Sequence, residues 1–218
     1  MSEEINLDLD RECRIGQPEI IYGESKSNEQ LTEIVEQLQR AGRNGLFTRV
    51  SHAQAEAIRL KYPTVYYDEV GRCLTLSVSE FATGRGELAL VCGGTSDIPI
   101  LREAECTARF LGFDSRVYAD VGVAGIQRLM DRLDAIRKAR AIIVFAGFEG
   151  ALASVVAGQV AAPVIGVPTS IGYGVAAGGQ VALNAMLSSC ANGLLVTNID
   201  NGCGAVMAAA RILPLPTL

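Results

Sequence analysis

The chain has 218 residues, of which 49% are hydrophobic, and its formal net charge at pH 7 is −5. This length is sufficient for one or two domains, each with a buried core. Lysine and arginine form no cluster or stripe along the sequence. The acidic balance and the absence of a basic patch argue against nucleic-acid binding.

The N-terminal stretch, residues 1–13, is acidic and lacks the basic, apolar and small-residue regions of a signal peptide. Residues 150–199 contain no charged side chain, but proline and glycine interrupt them throughout. Such interruptions favour short buried strands and turns over a membrane helix. We therefore expect a soluble cytoplasmic protein.

Six cysteines are scattered along the chain, with no CxxC pair, and His52 is the only histidine. A zinc site of the common Cys/His type is therefore improbable. In a chain without an export signal we expect free thiols, most of them structural and at most one or two reactive.

Charge nearly disappears from the C-terminal part of the chain. After Arg140 only Glu149, Asp200 and Arg211 are charged. Helices that are apolar on every side must be buried on every side. We therefore expect a homo-oligomer that packs through this half; the alternative is a core buried wholly within a monomer.

Residues 1–85 are expected to form a small α+β segment. Ser51 is a favoured residue type for the N-cap of a helix that extends to Lys61. The other predicted elements are strands at 18–23 and 46–50, a helix at 28–41, and a hairpin of 65–67 with 73–76.

Residues 86–218 show a regular alternation of strands rich in Val, Ile and Leu with helices. Strands are predicted at 88–91, 115–119, 141–145, 163–167 and 194–197, and helices at 98–111, 123–138, 151–158, 181–189 and 205–213. This pattern predicts an α/β domain with a doubly wound parallel sheet of the flavodoxin-like, three-layer type. Ligands of such sheets bind beyond the carboxyl ends of the strands.

The loop after the first of these strands is a candidate anion site. Gly94, Thr95 and Ser96 offer backbone and hydroxyl donors at the start of a helix, and Asp97 is placed to bind ribose or Mg²⁺. The alternative is an ordinary capped βα turn. The loop is not a P-loop, because no Gly-Lys-Ser/Thr follows.

Two acidic positions follow the next two strands. Asp120, with Val121 and Gly122 beside it, is a ribose or metal contact or else an N-cap. Glu149 is the only acid between Arg140 and Asp200. Apolar surroundings would raise its pKa and suit it to proton transfer, whereas the alternative is a partly solvated residue at a helix start.

Two further loops and one cysteine complete the candidates. Ser170, Gly172, Tyr173 and Gly174 form a donor-rich loop with one aromatic ring, which suits a nucleotide or flat heterocycle or is merely structural. Asp200 and Asn201 bind ligand or cap the last helix. Cys190, among small polar residues, is a nucleophile or a packed thiol.

The stretch from residue 91 to the C-terminus resembles aminoimidazole ribonucleotide carboxylases and related mutases, most clearly at 161–168 and 198–213. A resemblance over nearly the whole chain is to the LarB family, pyridinium-3,5-biscarboxylic acid mononucleotide synthases of nickel-pincer cofactor biosynthesis, which serves lactate racemase maturation. The segments that carry it are 16–23, 93–97, 120–125, 148–151, 167–174 with Gly178 and Gly179, 189–191 and 198–202.

This resemblance implies carboxylation of the nicotinate ring of nicotinic acid adenine dinucleotide, with CO₂ or bicarbonate as carboxyl source, and phosphoanhydride hydrolysis that releases AMP. It implies that Cys190 is the nucleophile and Glu149 the catalytic acid/base residue. It further implies Mg²⁺ for hydrolysis and a homo-octamer. Asp97 and Asp120, from their places after the strands, are the candidate Mg²⁺ ligands.

The chain departs from the family pattern at two positions. Gln127 stands where a histidine is frequent, and Cys203 stands where a large apolar or aromatic residue is common.

Two alternative functions are considered. A purine-pathway carboxylase or mutase needs a catalytic histidine, and His52 reads as a surface residue. A non-catalytic nucleotide-binding protein would bury Cys190 as an unreactive thiol.

Overall fold

The structure is a computed structural model that describes residues 5–213. The chain divides into two compact units, with the boundary between Ala82 and Thr83. The predicted division between residues 85 and 86 lies close to this point. Within the described range, no helix has both the length and the apolar character needed to cross a membrane.

The first unit is a small α+β fold, as expected. Its four-stranded sheet has the order β1-β2-β4-β3, in which β1 and β2 are parallel and the other neighbours antiparallel. The elements are α1 (Arg11–Ile15), β1 (Ile21–Tyr22), α2 (Asn28–Arg40), β2 (Gly45–Thr48), α3 (His52–Lys61), β3 (Tyr66–Asp68) and β4 (Cys73–Leu76).

The two long helices of this unit begin at capping boxes. Ser51 caps α3 by accepting from the backbone N–H of Gln54, whose side chain accepts from the backbone N–H of Ser51. Ser27 and Gln30 do the same for α2. Each box satisfies two helix-end donors. The predicted N-cap at Ser51 is thus present.

The second unit is a three-layer α/β fold with a five-stranded parallel sheet. Its elements are β5 (Glu87–Cys92), α4 (Ile98–Phe110), β6 (Asp114–Tyr118), α5 (Ile126–Met130), α6 (Leu133–Ile136), β7 (Ala141–Ala146), α7 (Ala151–Ala157), β8 (Val164–Pro168), α8 (Gln180–Leu187), β9 (Leu195–Val196) and α9 (Gly202–Ile212). The strand order is β6-β5-β7-β8-β9, the flavodoxin-like order. The direction of winding reverses between β5 and β7, where such folds bind ligands.

The helices divide between the two faces of this sheet. On one face α4 contacts α9, and the Glu103 carboxylate accepts from the backbone N–H of Cys203 at 2.9 Å. On the other face, residues of α5 to α8 pack against the sheet in one apolar cluster, which includes Leu129, Ile136, Leu152, Val156 and Met186. Helices α7 and α8 therefore share a face.

One predicted helix is wrong. Residues 123–138 were expected to be continuous, but the structure has a 3-10 turn (Val123–Gly125) followed by the short helices α5 and α6. Gly125 has a φ of −124°, so helical bonding starts only after it. Between the helices, the backbone N–H of Arg132 donates to the Leu129 carbonyl, and the backbone N–H of Ala135 donates to the Arg132 carbonyl. This i→i−3 pattern is that of a 3-10 helix.

Candidate active site

The loops that follow the parallel strands meet in backbone contact. A Cβ atom on Gly122 would lie 2.7 Å from the Gly93 carbonyl oxygen, and one on Gly179 would lie 2.8 Å from the Thr169 carbonyl oxygen. At Gly147 an added Cβ would overlap the Ile171 carbonyl oxygen. Glycine at positions 122 and 147 lets the loops of neighbouring strands approach closely, and Gly179 lets the connection between β8 and α8 fold back on its own start.

Three of these loops hold a non-glycine residue in the left-handed region. The φ angles are 57° at Asp120, 51° at Phe148 and 56° at Asp200. This conformation is uncommon for residues other than glycine and is an outlier for a bulky one such as phenylalanine. Backbone strain of this kind concentrates at ligand-binding and catalytic sites. The carboxyl edge of the sheet is therefore the candidate site.

Asp97 joins two of the loops. Its side chain is 4% exposed, accepts from Thr169 Oγ1 at 2.6 Å and accepts from the backbone N–H of Gly94 at 2.9 Å. Burial raises the pKa of Asp97, partly offset by these hydrogen bonds. The Gly94 donor, predicted to face an anion, is thus used within the chain. Thr95 and Ser96 are exposed beside it.

Replacement of Asp97 by asparagine should change how stability depends on pH. The amide oxygen can accept from Gly94 and the amide nitrogen can donate to Thr169 Oγ1, so we expect a folded variant. Because folding raises the pKa of Asp97, the wild type is stabilised at acid pH and loses that stabilisation as pH rises through the folded-state pKa. The free energy of unfolding of Asp97→Asn relative to wild type should therefore increase from acid to neutral pH in urea titrations. An unchanged difference across this range would contradict the assignment.

The other polar candidates have partners within the chain. Asp120 pairs with Arg128 at 2.6 Å, and the Asp200 carboxylate accepts from the backbone N–H of Ser170 at 2.8 Å. Asn201 caps α9 by accepting from the backbone N–H of Gly204 at 2.8 Å. The capping alternative for Asn201 is therefore present in the structure.

The predicted metal ligands do not form a ligand set. Asp97 is buried and bonded to Thr169 and Gly94, and Asp120 is paired with Arg128. Among residues 5–213, no group of three or more His, Cys, Asp or Glu side chains is arranged to hold a metal ion. Binding of Mg²⁺ stays a prediction.

The loop after β8 presents an aromatic ring. Tyr173 is 78% exposed, and Gly172 and Gly174 have φ angles of 154° and 57°. Phe148 lies against it with ring centroids 5.5 Å apart. Sequence reasoning missed Phe148 as a site residue, although its position between Gly147 and Glu149 in a short loop was a signal.

Glu149 does not have the expected environment. We predicted a carboxyl group in apolar surroundings, but in the single chain Glu149 is exposed. The reason is its place in the loop between β7 and α7, beyond the sheet and ahead of the helix. The prediction of desolvation by its own chain is therefore wrong.

Cys190 is exposed and lies beyond the end of α8. The neighbouring Ser189 Oγ is 2.7 Å from Ser154 Oγ on α7. Ser154 lies about one helical turn, roughly 6 Å, beyond Gly150, which follows Glu149. Cys190 and Glu149 thus flank the same pair of helices on one face of the sheet, and no hydrogen bond joins them within residues 5–213.

The cysteine thiols differ in exposure to solvent. Cys13 and Cys190 are exposed, whereas Cys73, Cys92 and Cys106 are buried. Burial raises the pKa of Cys92 to about 11. We expect iodoacetamide to label Cys13 and Cys190 in the native protein and to label the three buried thiols only after unfolding, because the thiolate is the reactive form. Peptide mass mapping measures this, and a native Cys190 that resists labelling would contradict the exposed placement.

Comparisons with known proteins cover both units. The model of the LarB/PurE-like N-terminal domain matches residues 3–79, and the model of AIR carboxylase matches residues 87–217. The uncharacterized protein MJ0165 of Methanocaldococcus jannaschii is 36% identical over 220 residues, which cover 97% of this chain and 85% of the relative. A crystal structure of a Treponema denticola PurE2 variant aligns with a TM-score of 0.49 and 18% identity, over 62% of this chain and 83% of that chain. The chain belongs to the AIR carboxylase family, in a LarB-like form that carries the LarB/PurE-like N-terminal domain ahead of the AIR carboxylase domain.

Proposed function

We propose that this protein carboxylates the nicotinate ring of nicotinic acid adenine dinucleotide and cleaves its phosphoanhydride, releasing AMP and pyridinium-3,5-biscarboxylic acid mononucleotide for nickel-pincer cofactor synthesis. Membership of the family supports a carboxylase-type reaction. The observation that favours the nicotinate substrate is the LarB/PurE-like N-terminal domain in the same chain as the AIR carboxylase domain.

The chemistry assigns a nucleophile and a base. A pyridinium ring is electron-poor and does not attack CO₂. The Cys190 thiolate adds to ring carbon 4, which makes carbon 5 an enamine-type nucleophile. Carbon 5 forms a bond to CO₂, and Glu149 removes the proton that carbon 5 still carries. Loss of the thiolate from carbon 4 then restores the aromatic ring, so that the net change replaces hydrogen by carboxylate.

Both groups must reach adjacent atoms of one ring. In a single chain Glu149 lies ahead of α7 and Cys190 beyond the end of α8, and no hydrogen bond joins them within residues 5–213. The proposal therefore includes a homo-oligomer, an octamer, in which Cys190 of one subunit faces Glu149 of another. Exposed apolar side chains near Cys190 support association: Leu187 is 66% exposed and Leu195 45% exposed. Burial in such an interface would also supply the desolvation that Glu149 lacks in the single chain.

The two alternatives fit the structure less well. A purine-pathway carboxylase needs a histidine for proton transfer, but the His52 side chain is 67% exposed and lies in the N-terminal unit. A non-catalytic protein was expected to bury Cys190, and the structure exposes it.

The test is direct product analysis. Purified protein is incubated with nicotinic acid adenine dinucleotide, carbon-13 bicarbonate and Mg²⁺, and the mixture is analysed by mass spectrometry. The proposal predicts AMP and a labelled ring-dicarboxylated mononucleotide. A parallel incubation with aminoimidazole ribonucleotide tests the purine alternative, and turnover of that substrate alone would overturn the proposal.

A further inference from the structure

Two aromatic rings stand exposed at the carboxyl edge of the sheet. Phe148 is 43% exposed and Tyr173 is 78% exposed. Their rings meet edge to face, with centroids 5.5 Å apart and an interplanar angle of 89°. This arrangement is a favourable one for an aromatic pair, and it leaves much of both rings open to solvent.

The backbone holds this pair in place at a cost. The N–H of Phe148 donates to the Ile171 carbonyl at 2.8 Å, and the absence of a side chain at Gly147 allows the two loops to touch. Phe148 itself has a φ of 51°. A bulky residue in the left-handed region is strained, and Phe148 stays 43% exposed in this conformation. Strain that presents a ring to solvent is typical of a ligand contact.

The charge around the pair is negative. Glu149 follows Phe148 directly and is exposed, and Asp200 contacts the loop that carries Tyr173 through Ser170. Arg128 is paired with Asp120. Beyond Arg140 the sequence contains one further cation, Arg211, in the last turn of α9. Carboxylates and aromatic faces both attract a positively charged group.

We propose that Phe148 and Tyr173 form the binding surface for a cationic heteroaromatic ring, and that they select N-substituted pyridinium rings over neutral pyridines. This inference rests on the proposed function, whose substrate contains such a ring. The ring faces provide stacking area to either kind of ring, but only a cationic ring also gains cation–π attraction. Glu149, next to Phe148 in the chain, is then close to the ring on which it is to act.

Binding of two matched small molecules tests this. N-methylnicotinate and nicotinate differ in the charge of the ring and share the carboxylate. Calorimetry on the intact wild-type protein should show about tenfold tighter binding of N-methylnicotinate. Phe148→Leu and Tyr173→Leu should each lose most of this preference. Tyr66→Leu, which removes a 49%-exposed tyrosine from the N-terminal unit, is the matched control and should keep it.

Each outcome discriminates. Equal affinity of the wild type for both probes, or a preference that survives both leucine variants, overturns the inference. A change of oligomeric state in Phe148→Leu or Tyr173→Leu, by sedimentation velocity, with the preference intact would assign the rings to contact with a second copy instead. If the preference depends on the rings but no carboxylated product forms, the proposed function fails and the inference stands. If the carboxylated product forms but the wild type shows no preference for N-methylnicotinate, the inference fails and the proposed function stands.

Discussion

Replacing Cys190 by serine is expected to abolish carboxylation while leaving the protein folded. Serine keeps the size of the side chain but offers a hydroxyl that is far less nucleophilic and a much poorer leaving group from ring carbon 4. Loss of a covalent nucleophile typically lowers kcat by on the order of 10³-fold or more. Because Cys190 is exposed, stability should change by less than about 0.5 kcal/mol. Steady-state product formation and urea unfolding measure the two effects.

A matched serine variant separates the specific effect from general thiol loss. Cys13 is also exposed but lies in α1 of the N-terminal unit, so Cys13→Ser should retain wild-type activity. Activity of Cys190→Ser within a few-fold of wild type would remove the nucleophile assignment.

Gly147→Ala is expected to damage both stability and activity. A Cβ atom at this position would overlap the carbonyl oxygen of Ile171 and approach Thr169 Oγ1 to 2.8 Å. The loop that carries Phe148 and Glu149 would have to move away from the loop that carries Tyr173. Overpacking of this kind costs roughly 1–3 kcal/mol, and displaced catalytic groups lose large factors in rate. Urea unfolding should show the loss of stability, and the product assay should show at least a tenfold loss of rate.

A second glycine provides the control. At Gly158 an added Cβ would lie no closer than 3.6 Å to its neighbours, and φ is −76° in the helical region. Gly158→Ala should therefore leave stability unchanged or slightly raised, because alanine restricts the unfolded chain. Equal destabilisation by the two alanine variants would show that contact between the loops is not the cause.

Local patterns in the sequence predicted most of the architecture. Alternating β-rich and helical stretches from residue 86 predicted the parallel sheet, and Ser51 as a favoured N-cap residue marked the start of α3. These features depend on residues close together in sequence, so the sequence reports them directly. The predicted parallel sheet in turn indicated that the loops after its strands lie at one edge of the sheet.

Features that depend on tertiary packing could not be predicted from local sequence patterns. Leu129 on α5 and Leu133 and Ile136 on α6 are all buried, but their spacing in the sequence did not indicate the break between the two helices. The burial of Asp97 depends on Thr169, which is distant in sequence. The exposure of Glu149 was not predicted. Few charged residues surround it in the sequence, and this was interpreted as apolar surroundings in the folded chain.

In the proposed reaction the Cys190 sulfur forms a covalent bond to carbon 4 of the nicotinate ring. Mixing the protein with nicotinic acid adenine dinucleotide in CO₂-free buffer should produce the near-ultraviolet absorbance of a 1,4-dihydropyridine, and intact-protein mass spectrometry followed by peptide mapping should place the adduct on the peptide that contains Cys190. Both signals are expected in the wild type and neither in Cys190→Ser. An adduct of equal yield in Cys190→Ser, or carboxylated product from the wild type with no adduct at Cys190, would contradict the proposed reaction.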